Sequence, residues 1–310
     1  MVHRLNQANI TPIVLDNLST GHRDAVHNAE FIEGNMADTT LLDQIFQTHA
    51  ISAVMHFASF IQVGESVKDP AKYYVNNVIG TVNLLNTMLR WKVNQFIFSS
   101  TAAVYGEPVY TPMDEQHPLA PINPYGHGKR MVEQIVEDYA KAYGLQFAIL
   151  RYFNAAGADP GGMLQERHDP ETHLIPLVLQ AARDSKKHIV VFGRDYATVD
   201  GTCVRDYIHV NDLCDAHLLA LQSLNEGQPS CIYNLGTGQG YSVQQVIDMA
   251  REVTGRSIHV IEGERRGGDP AVLIANAEKA MQNLNWQPTY PDLRSIIQHA
   301  WQVPISKIPH

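Results

Sequence analysis

Gln95-Phe96-Ile97-Phe98-Ser99 is an apolar run that ends in a cluster of hydroxyls, Ser99, Ser100 and Thr101. Apolar side chains on consecutive rather than alternate residues predict a strand buried on both faces, as in a parallel sheet covered by helices. Three more runs share this texture: Thr11-Pro12-Ile13-Val14-Leu15-Asp16, Ser52-Ala53-Val54-Met55-His56-Phe57 and Gln146-Phe147-Ala148-Ile149-Leu150-Arg151. Between them the apolar spacing becomes helical. Val78, Val82, Leu85 and Leu89 predict one stripe; Val132, Ile135, Val136, Tyr139 and Tyr143 predict another. Strand and helix in alternation predict a doubly wound α/β domain, whose ligands bind beyond the carboxyl ends of the strands.

After about Asn154 the pattern changes. Gly157 to Thr172 is polar and rich in Gly and Pro, which predicts a long surface loop. Helices are expected over 174–184 and 211–224, strands over 189–192 and 231–235. Ser242 and Gln245 form a capping box that opens a helix running to Thr254. The second half is expected to be a smaller mixed α/β domain that supplies a lid or a substrate pocket.

The whole chain has 310 residues, with 23 Lys and Arg against 32 Asp and Glu, a net charge of −9. That balance argues against nucleic acid or an anionic membrane as the main partner, since both need a basic face. At 45 % apolar and 18 % charged residues the composition is that of a globular protein. No run approaches the roughly 20 apolar residues of a membrane span, and Met1 to Gln7 lacks the apolar core of a signal peptide. Cys203, Cys214 and Cys231 make an odd number with no Cys-x-x-Cys pair, so a disulfide framework is not expected. These features together predict a soluble protein of the reducing cytoplasm.

Candidate chemistry centres on Pro124-Tyr125-Gly126-His127-Gly128-Lys129. Four residues apart on a helix, Tyr125 and Lys129 stand on one face about 5.4 Å from each other. A tyrosine with a pKa near about 10 is a poor base at neutral pH, and a neighbouring ammonium favours its phenolate. Alone, Tyr-x-x-x-Lys is a common accident of helices. Here Pro124 sets the helix start, Ser100 and Thr101 lie at a strand end, and Asn76-Asn77 is expected to open the preceding helix.

On these residues the chain resembles the extended branch of the short-chain dehydrogenase/reductase family, and within it the members that invert C4 of UDP-hexoses. The resemblance runs from Leu15-Asp16-Asn17-Leu18-Ser19 to Asn285-Trp286. Its most specific blocks are His56-Phe57-Ala58, Val63-Gly64-Glu65-Ser66, Arg151-Tyr152-Phe153-Asn154, Gly201 to Val210, and Tyr233-Asn234-Leu235-Gly236-Thr237-Gly238. It implies a Rossmann-like doubly wound sheet over about 1–155, rejoined by about 207–236, and a UDP-sugar domain over 156–310. It also implies one retained NAD, which oxidises the hexose at C4 to a transient 4-keto sugar and then reduces it on the other face, in galactose metabolism. Tyr125 would take the 4-hydroxyl proton, Lys129 would hold the nicotinamide ribose and lower the Tyr125 pKa, and Thr101 would bond the 4-oxygen.

The same resemblance places Asp16, Asn17, Asn35, Met36, Phe57, Ala58, Asn76, Ser99, Ser100 and Tyr152 around the cofactor. Asn154, His173, Leu174, Phe192, Arg205, Arg266, Asp269 and Leu273 would meet the sugar nucleotide, with Arg205 and Arg266 on the phosphates and Asp269 on the uridine ribose. Phe192 would lie beside the uracil. A guanidinium fork matches phosphate oxygens, although an Arg-Arg pair such as Arg265-Arg266 is otherwise a common solvated patch. A strand-end carboxylate at Asp16 bonds ribose hydroxyls and repels a 2′-phosphate, so NAD is expected over NADP. Leu273, of intermediate size, leaves acceptance of 2-acetamido sugars open. The resemblance further implies a homodimer through helices of the first domain.

There are departures. Asn35 stands where the family carries an acid, and Ile61 where many members place a lysine; both bear on cofactor affinity rather than reaction type. The glycine fingerprint should stand about 20 residues before the ribose-binding acid. Counting back from Asp16 runs off the chain, and the first glycine is Gly21. The first strand and glycine turn are therefore expected to be missing, Met1 to Gln7 to be the tail of the first helix, and two sheet edges to be left open. Either the recorded start is internal or the product is truncated, and the chain as given is expected to hold NAD weakly or not at all.

Two alternatives follow: a truncated, non-catalytic nucleotide-sugar-binding protein, or a nucleotide-sugar 4,6-dehydratase. Dehydratases place an Asp-Glu acid/base pair after the strand-end Thr, where this chain has Ala102 and Ala103. Gly236-Thr237-Gly238-Gln239-Gly240 mimics a phosphate loop but lacks the later glycine and any P-loop Lys. The 15 histidines include no His-Glu-x-x-His, so no metal is expected.

Overall fold

The computed structural model describes residues 1–266 and 269–302. In chain order the elements are α1 (Val2–Gln7), β1 (Ile13–Asp16), β2 (Glu30–Glu33), α2 (Thr39–Thr48), β3 (Val54–His56), α3 (Val63–Lys68), α4 (Pro70–Tyr73), α5 (Gly80–Arg90), β4 (Gln95–Thr101), α6 (Pro124–Tyr143) and β5 (Gln146–Tyr152). They continue with β6 (Asn154–Ala156), α7 (Leu174–Arg183), β7 (Ile189–Phe192), β8 (Val204–His209), α8 (Val210–Asn225), β9 (Cys231–Leu235), β10 (Gly240–Ser242), α9 (Val243–Thr254), β11 (Val260–Gly263), β12 (Val272–Leu273), α10 (Glu278–Asn283) and α11 (Leu293–Gln302). None of the described helices is long and apolar enough to cross a membrane.

The chain divides into two compact units. The first comprises Met1–Glu107, His117–Arg151 and Asp215–Tyr233; the second comprises Pro108–Gln116, Tyr152–Cys214 and Asn234–His310. In the first, β1 pairs in parallel with β2, and β3 with β4. The sheets stay separate: β1-β2 is a two-stranded pair, and β3-β4-β5-β9 forms a four-stranded sheet. Among the described residues β1 pairs only with β2, and β3 only with β4, so each keeps an unpaired edge. Val2–Gln7 is helical, as its sequence predicts.

The apolar run that decides the fold is deeply buried. Phe96, Ile97 and Phe98 have no exposed surface, and each such side chain is worth about 1.5–3 kcal/mol of burial. Phe96 and Phe98 pack with Leu42, Leu85, Met88, Val132, Val136 and Ile149 from the surrounding helices and β5. The two predicted stripes need correction. On α5 the deep face is Thr81, Leu84, Leu85 and Met88, while Val78, Val82 and Leu89 are only partly buried. A π-helical turn over Tyr74–Ile79 precedes α5, so Val78 lies in that turn and out of step with the helix. Asn76 and Asn77 lie within this turn and do not open the helix. On α6 Tyr143 is exposed, since the helix ends there.

In the second unit β8 pairs with β6 and β12 in parallel and with β10 antiparallel. A second small sheet joins β11 and β7 in parallel. The core packs α7, α9 and α11 through Val178, Val246, Ile247, Ile296 and Ile297. The Ser242–Gln245 capping box is formed in both directions and starts α9. It does not follow directly on Gly236–Gly240, because β10 intervenes.

Candidate active site

At the end of β4 the strand alternation sends Ser100 to one face and Ser99 and Thr101 to the other. Ser100 Oγ donates to Glu133 Oε1 at 2.6 Å. Glu133 is gripped by Arg151 through Nε at 2.9 Å and Nη2 at 2.7 Å, and Arg151 Nη1 donates to the Tyr105 hydroxyl at 3.1 Å. Burial opposes the charge on Arg151, but its bonds to Glu133 and Tyr105 outweigh it and hold the guanidinium protonated. Ser99 Oγ lies 2.9 Å from His217 Nε2 on α8. Both serine hydroxyls are thus spent inside the core, which departs from the expectation that they line a pocket. A buried carboxylate and a buried imidazole need partners, and these hydroxyls supply them. Thr101 differs: it is half-buried, and Oγ1 accepts from Ala103 N at 3.1 Å while its own proton stays available.

The sequence fixes the start of α6 locally. Asn123 Oδ1 accepts from Gly126 N at 2.9 Å, and Pro124 occupies the first helical turn. Gly126 is required by close approach, since a Cβ there would fall 2.6 Å from the Ala103 carbonyl in the turn after Thr101. This contact draws the first turn of α6 against the end of β4. Tyr125 N donates to Ser66 Oγ at 3.2 Å, and Ser66 in turn donates to Val63 O at 2.7 Å.

Lys129 is buried one turn on. Its Nζ donates to Ser59 Oγ and to Ser99 O, each at 2.8 Å, and lies 6.0 Å from the Tyr125 ring centroid. Burial pushes its pKa down to about 7, and Glu133 one turn further pulls it partly back up. An ammonium carries three donors, and among the described residues two of them are used.

That unused donor fits a ribose hydroxyl. So does Asp16, at the C-terminal end of β1, whose Oδ1 accepts from Leu18 N at 2.7 Å. The turn is folded so tightly over this carboxylate that a Cβ at Gly21 would come within 2.9 Å of both its oxygens. The donor set therefore fits the two ribose ends of a dinucleotide. A glycine turn for its diphosphate is absent from the described residues. Asn17 and Asn35 are exposed and each uses Oδ1 on a backbone N–H two residues on, at 3.0 Å and 2.8 Å. Met36 is buried against Gly80, Phe57 and Ala58 are exposed, and Asn76 Nδ2 donates to Asn77 Oδ1 at 2.9 Å.

The second unit holds the remaining candidates. Arg205 pairs with Asp269, and Arg205 Nη1 also donates to Val204 O at 2.8 Å. The exposed Arg266 stacks its guanidinium 3.9 Å from the centre of the half-exposed Phe192 ring. Asn154 Nδ2 donates to Asp206 O at 3.2 Å, and Leu273 is aligned with Arg205 across β12 and β8. Tyr152 is half-buried; His173 caps α7 and Leu174 begins it. The glycine loop is no phosphate cradle. Thr237 N and Gly238 N donate to the buried Asp206 carboxylate at 2.9 Å and 3.0 Å.

Sequence reasoning assigned no role to Glu133, Arg151, Ser59, Ser66 or Asp206. The signal for the first was available: Glu133 lies four residues beyond Lys129, on the same helical face. The others meet their partners only through folding.

A strand-end threonine, a helix-borne Tyr and Lys and a strand-end carboxylate suit a dinucleotide-dependent enzyme of the doubly wound class. Residues 1–236 match the model of the NAD dependent epimerase/dehydratase family, and the chain belongs to that family. It is 52 % identical over 289 residues to a UDP-glucose 4-epimerase of Halalkalibacterium halodurans, covering 93 % of this chain and 86 % of that one. The structure of the Brucella ovis UDP-glucose 4-epimerase in complex with NAD superposes with a TM-score of 0.93 at 46 % identity, over 97 % and 92 % of the two chains. The UDP-Glc/GlcNAc 4-epimerase of Campylobacter jejuni gives 0.83 at 42 %, over 97 % and 93 %.

Proposed function

We propose that this protein interconverts UDP-glucose and UDP-galactose by inverting C4 of the hexose, with NAD as a retained cofactor. The observation that carries the reading is the Tyr125–Lys129 pair, a half-buried phenol with a buried amine one helical turn away. NAD, when bound, supplies a hydride acceptor that becomes a hydride donor. Tyr125 Oη takes the proton of the 4-hydroxyl and later returns it. Lys129 spends its remaining N–H on the nicotinamide ribose and, when charged, favours the phenolate. Thr101 donates its free O–H to the 4-oxygen, and Asp16 holds the adenosine ribose. Arg205 and Arg266 bind the diphosphate bidentately, Asp269 the uridine ribose and Phe192 the uracil face. Tyr152, Asn154, His173 and Leu174 line cofactor or sugar, and Leu273 limits bulk at the sugar 2-position.

Ala102 and Ala103 have no proton to transfer, which weighs against dehydration. Val67, Val75, Ile79 and Met131 are exposed on α3, the π-helical turn and α6, which pack together, and they suit a homodimer face. Three free cysteines suit the cytoplasm.

The test is turnover of UDP-galactose to UDP-glucose, followed with added NAD, for the wild type and Tyr125→Phe. Loss of turnover in the variant supports the reading. Equal turnover overturns the mechanism, and tight UDP-sugar binding without turnover favours the binding-protein alternative.

A further inference from the structure

We propose that the loop between β6 and α7 is a structural zinc site, built by Glu166, His168, Glu171 and His173. The four residues each offer one ligand atom, and these atoms lie within 4.8 Å of one another. His168 Nδ1 is 3.3 Å from Glu166 Oε1 and 3.5 Å from Glu171 Oε1. His173 Nδ1 contacts Glu166 Oε1 and lies 3.9 Å from Glu171 Oε1.

The two His168 separations are informative. A charge-assisted hydrogen bond closes to about 2.7–2.9 Å. Neighbouring ligands of a tetrahedral zinc with bonds of about 2.0–2.1 Å stand roughly 3.3–3.4 Å apart. The spacing around His168 is within ion-pair reach and also matches a coordination edge. An independent feature agrees: His168 Nδ1 is sealed from solvent yet makes no hydrogen bond of acceptable geometry. Glu166 and Glu171 push the His168 pKa up to about 10, so without metal the ring holds a proton between them, and a cation would take that proton's place.

The surroundings suit such a role. The Glu171 side chain is 7 % exposed, and its Oε1, the oxygen that faces both histidines, also accepts from the N–H groups of Thr172 and His173 at 2.8 Å and 2.9 Å. Two imidazole nitrogens and two carboxylate oxygens match zinc; calcium and magnesium take all-oxygen shells of six or more. Two carboxylates neutralise the divalent charge, which offsets the unfavourable field at the N-terminus of α7. Four protein ligands fill the tetrahedron, so the ion would tie the Gly- and Pro-rich loop to α7 and leave no position for a reactant. The motif escaped the sequence reading because Glu-x-His-x-x-Glu-x-His is not the helical His-Glu-x-x-His spacing.

The experiment uses the full chain, stripped with chelator, desalted and titrated with zinc chloride by calorimetry. Retained metal is then counted by mass spectrometry after a second desalting. One zinc per chain is expected, with affinity at least ~100-fold weaker in His168→Ala and in Glu166→Gln. Zinc should raise the melting temperature of the wild type and leave that of His168→Ala unchanged. Cobalt(II) substitution of the wild type should give the intense visible bands of a tetrahedral site, a readout that holds even if a variant misfolds. No retained zinc, equal affinity in variants folded by circular dichroism, or an octahedral cobalt spectrum overturns the proposal. None of these readings depends on turnover.

Discussion

Two charge clusters, one in each unit, are held in different ways. In the first, Lys129, Glu133 and Arg151 are each 3 % exposed or less, and every one is held by other protein groups. In the second, Arg266 is exposed and stacked on Phe192, and Arg205 leans on a partly exposed Asp269. Buried charges cannot rearrange cheaply, so the first arrangement fixes geometry before any ligand arrives. The exposed Arg266 and the partly buried Arg205 have less to give up when they rearrange. Side-chain geometry is fixed in the first cluster and exchangeable in the second.

Tyr125→Phe should break the comparison most visibly. Turnover is expected to fall about 10²–10⁴-fold with the melting temperature unchanged; a drop in both would mean that the hydroxyl is structural. Glu133→Ala comes next, because it strands Arg151 in the core. A loss of about 3–5 kcal/mol in urea unfolding is expected, against much less for truncating the exposed Arg266. Similar losses from the two would erase the distinction drawn here.

Lys129→Met sharpens it further. The folded-state pKa of about 7 lies below the ordinary lysine value of about 10.5, so the unfolded chain binds the proton better. The cost of the buried ammonium is complete below pH about 7 and vanishes as pH rises toward 10.5. The variant should therefore be inactive yet more stable than wild type at pH 6, by about a few kcal/mol, with the gain shrinking by pH 10. Arg205→Ala should act on binding instead, raising KM about 10- to 100-fold through loss of a charged hydrogen bond worth ~1.5–3 kcal/mol.

The smallest effect concerns acid. His56 is buried against Thr81 at 2.8 Å, and burial lowers its pKa to about 3. Below pH 6.5 the unfolded chain takes up the proton first, so stability falls as pH drops from 6.5 toward 3. The slope from this group is at most ~1.4 kcal/mol per pH unit. His56→Gln should flatten it in pH-dependent thermal melts.

Much of this was legible in the chain itself. The consecutive apolar residues of β4 and β5 define buried strands because no other element hides both faces of a short run. Asn123-Pro124 starts α6 through local bonds alone, and the four-residue step from Tyr125 to Lys129 is pure helix geometry. The face of α5 was misjudged, because Val78 falls in a π-helical turn that apolar spacing does not announce and the buried face takes in the polar Thr81.

What tertiary structure decided was the use of each polar group. Ser100 looks identical to Thr101 in the chain, yet one hydroxyl is consumed by Glu133 from α6 and the other keeps its proton. The Gly236–Gly240 loop looks ready for a phosphate until Asp206, about 30 residues earlier, fills it. Periodicity and capping are set by neighbours within a few residues, so sequence alone determined them. Satisfaction of a buried donor or acceptor depends on partners far along the chain, and only the folded molecule brings those together.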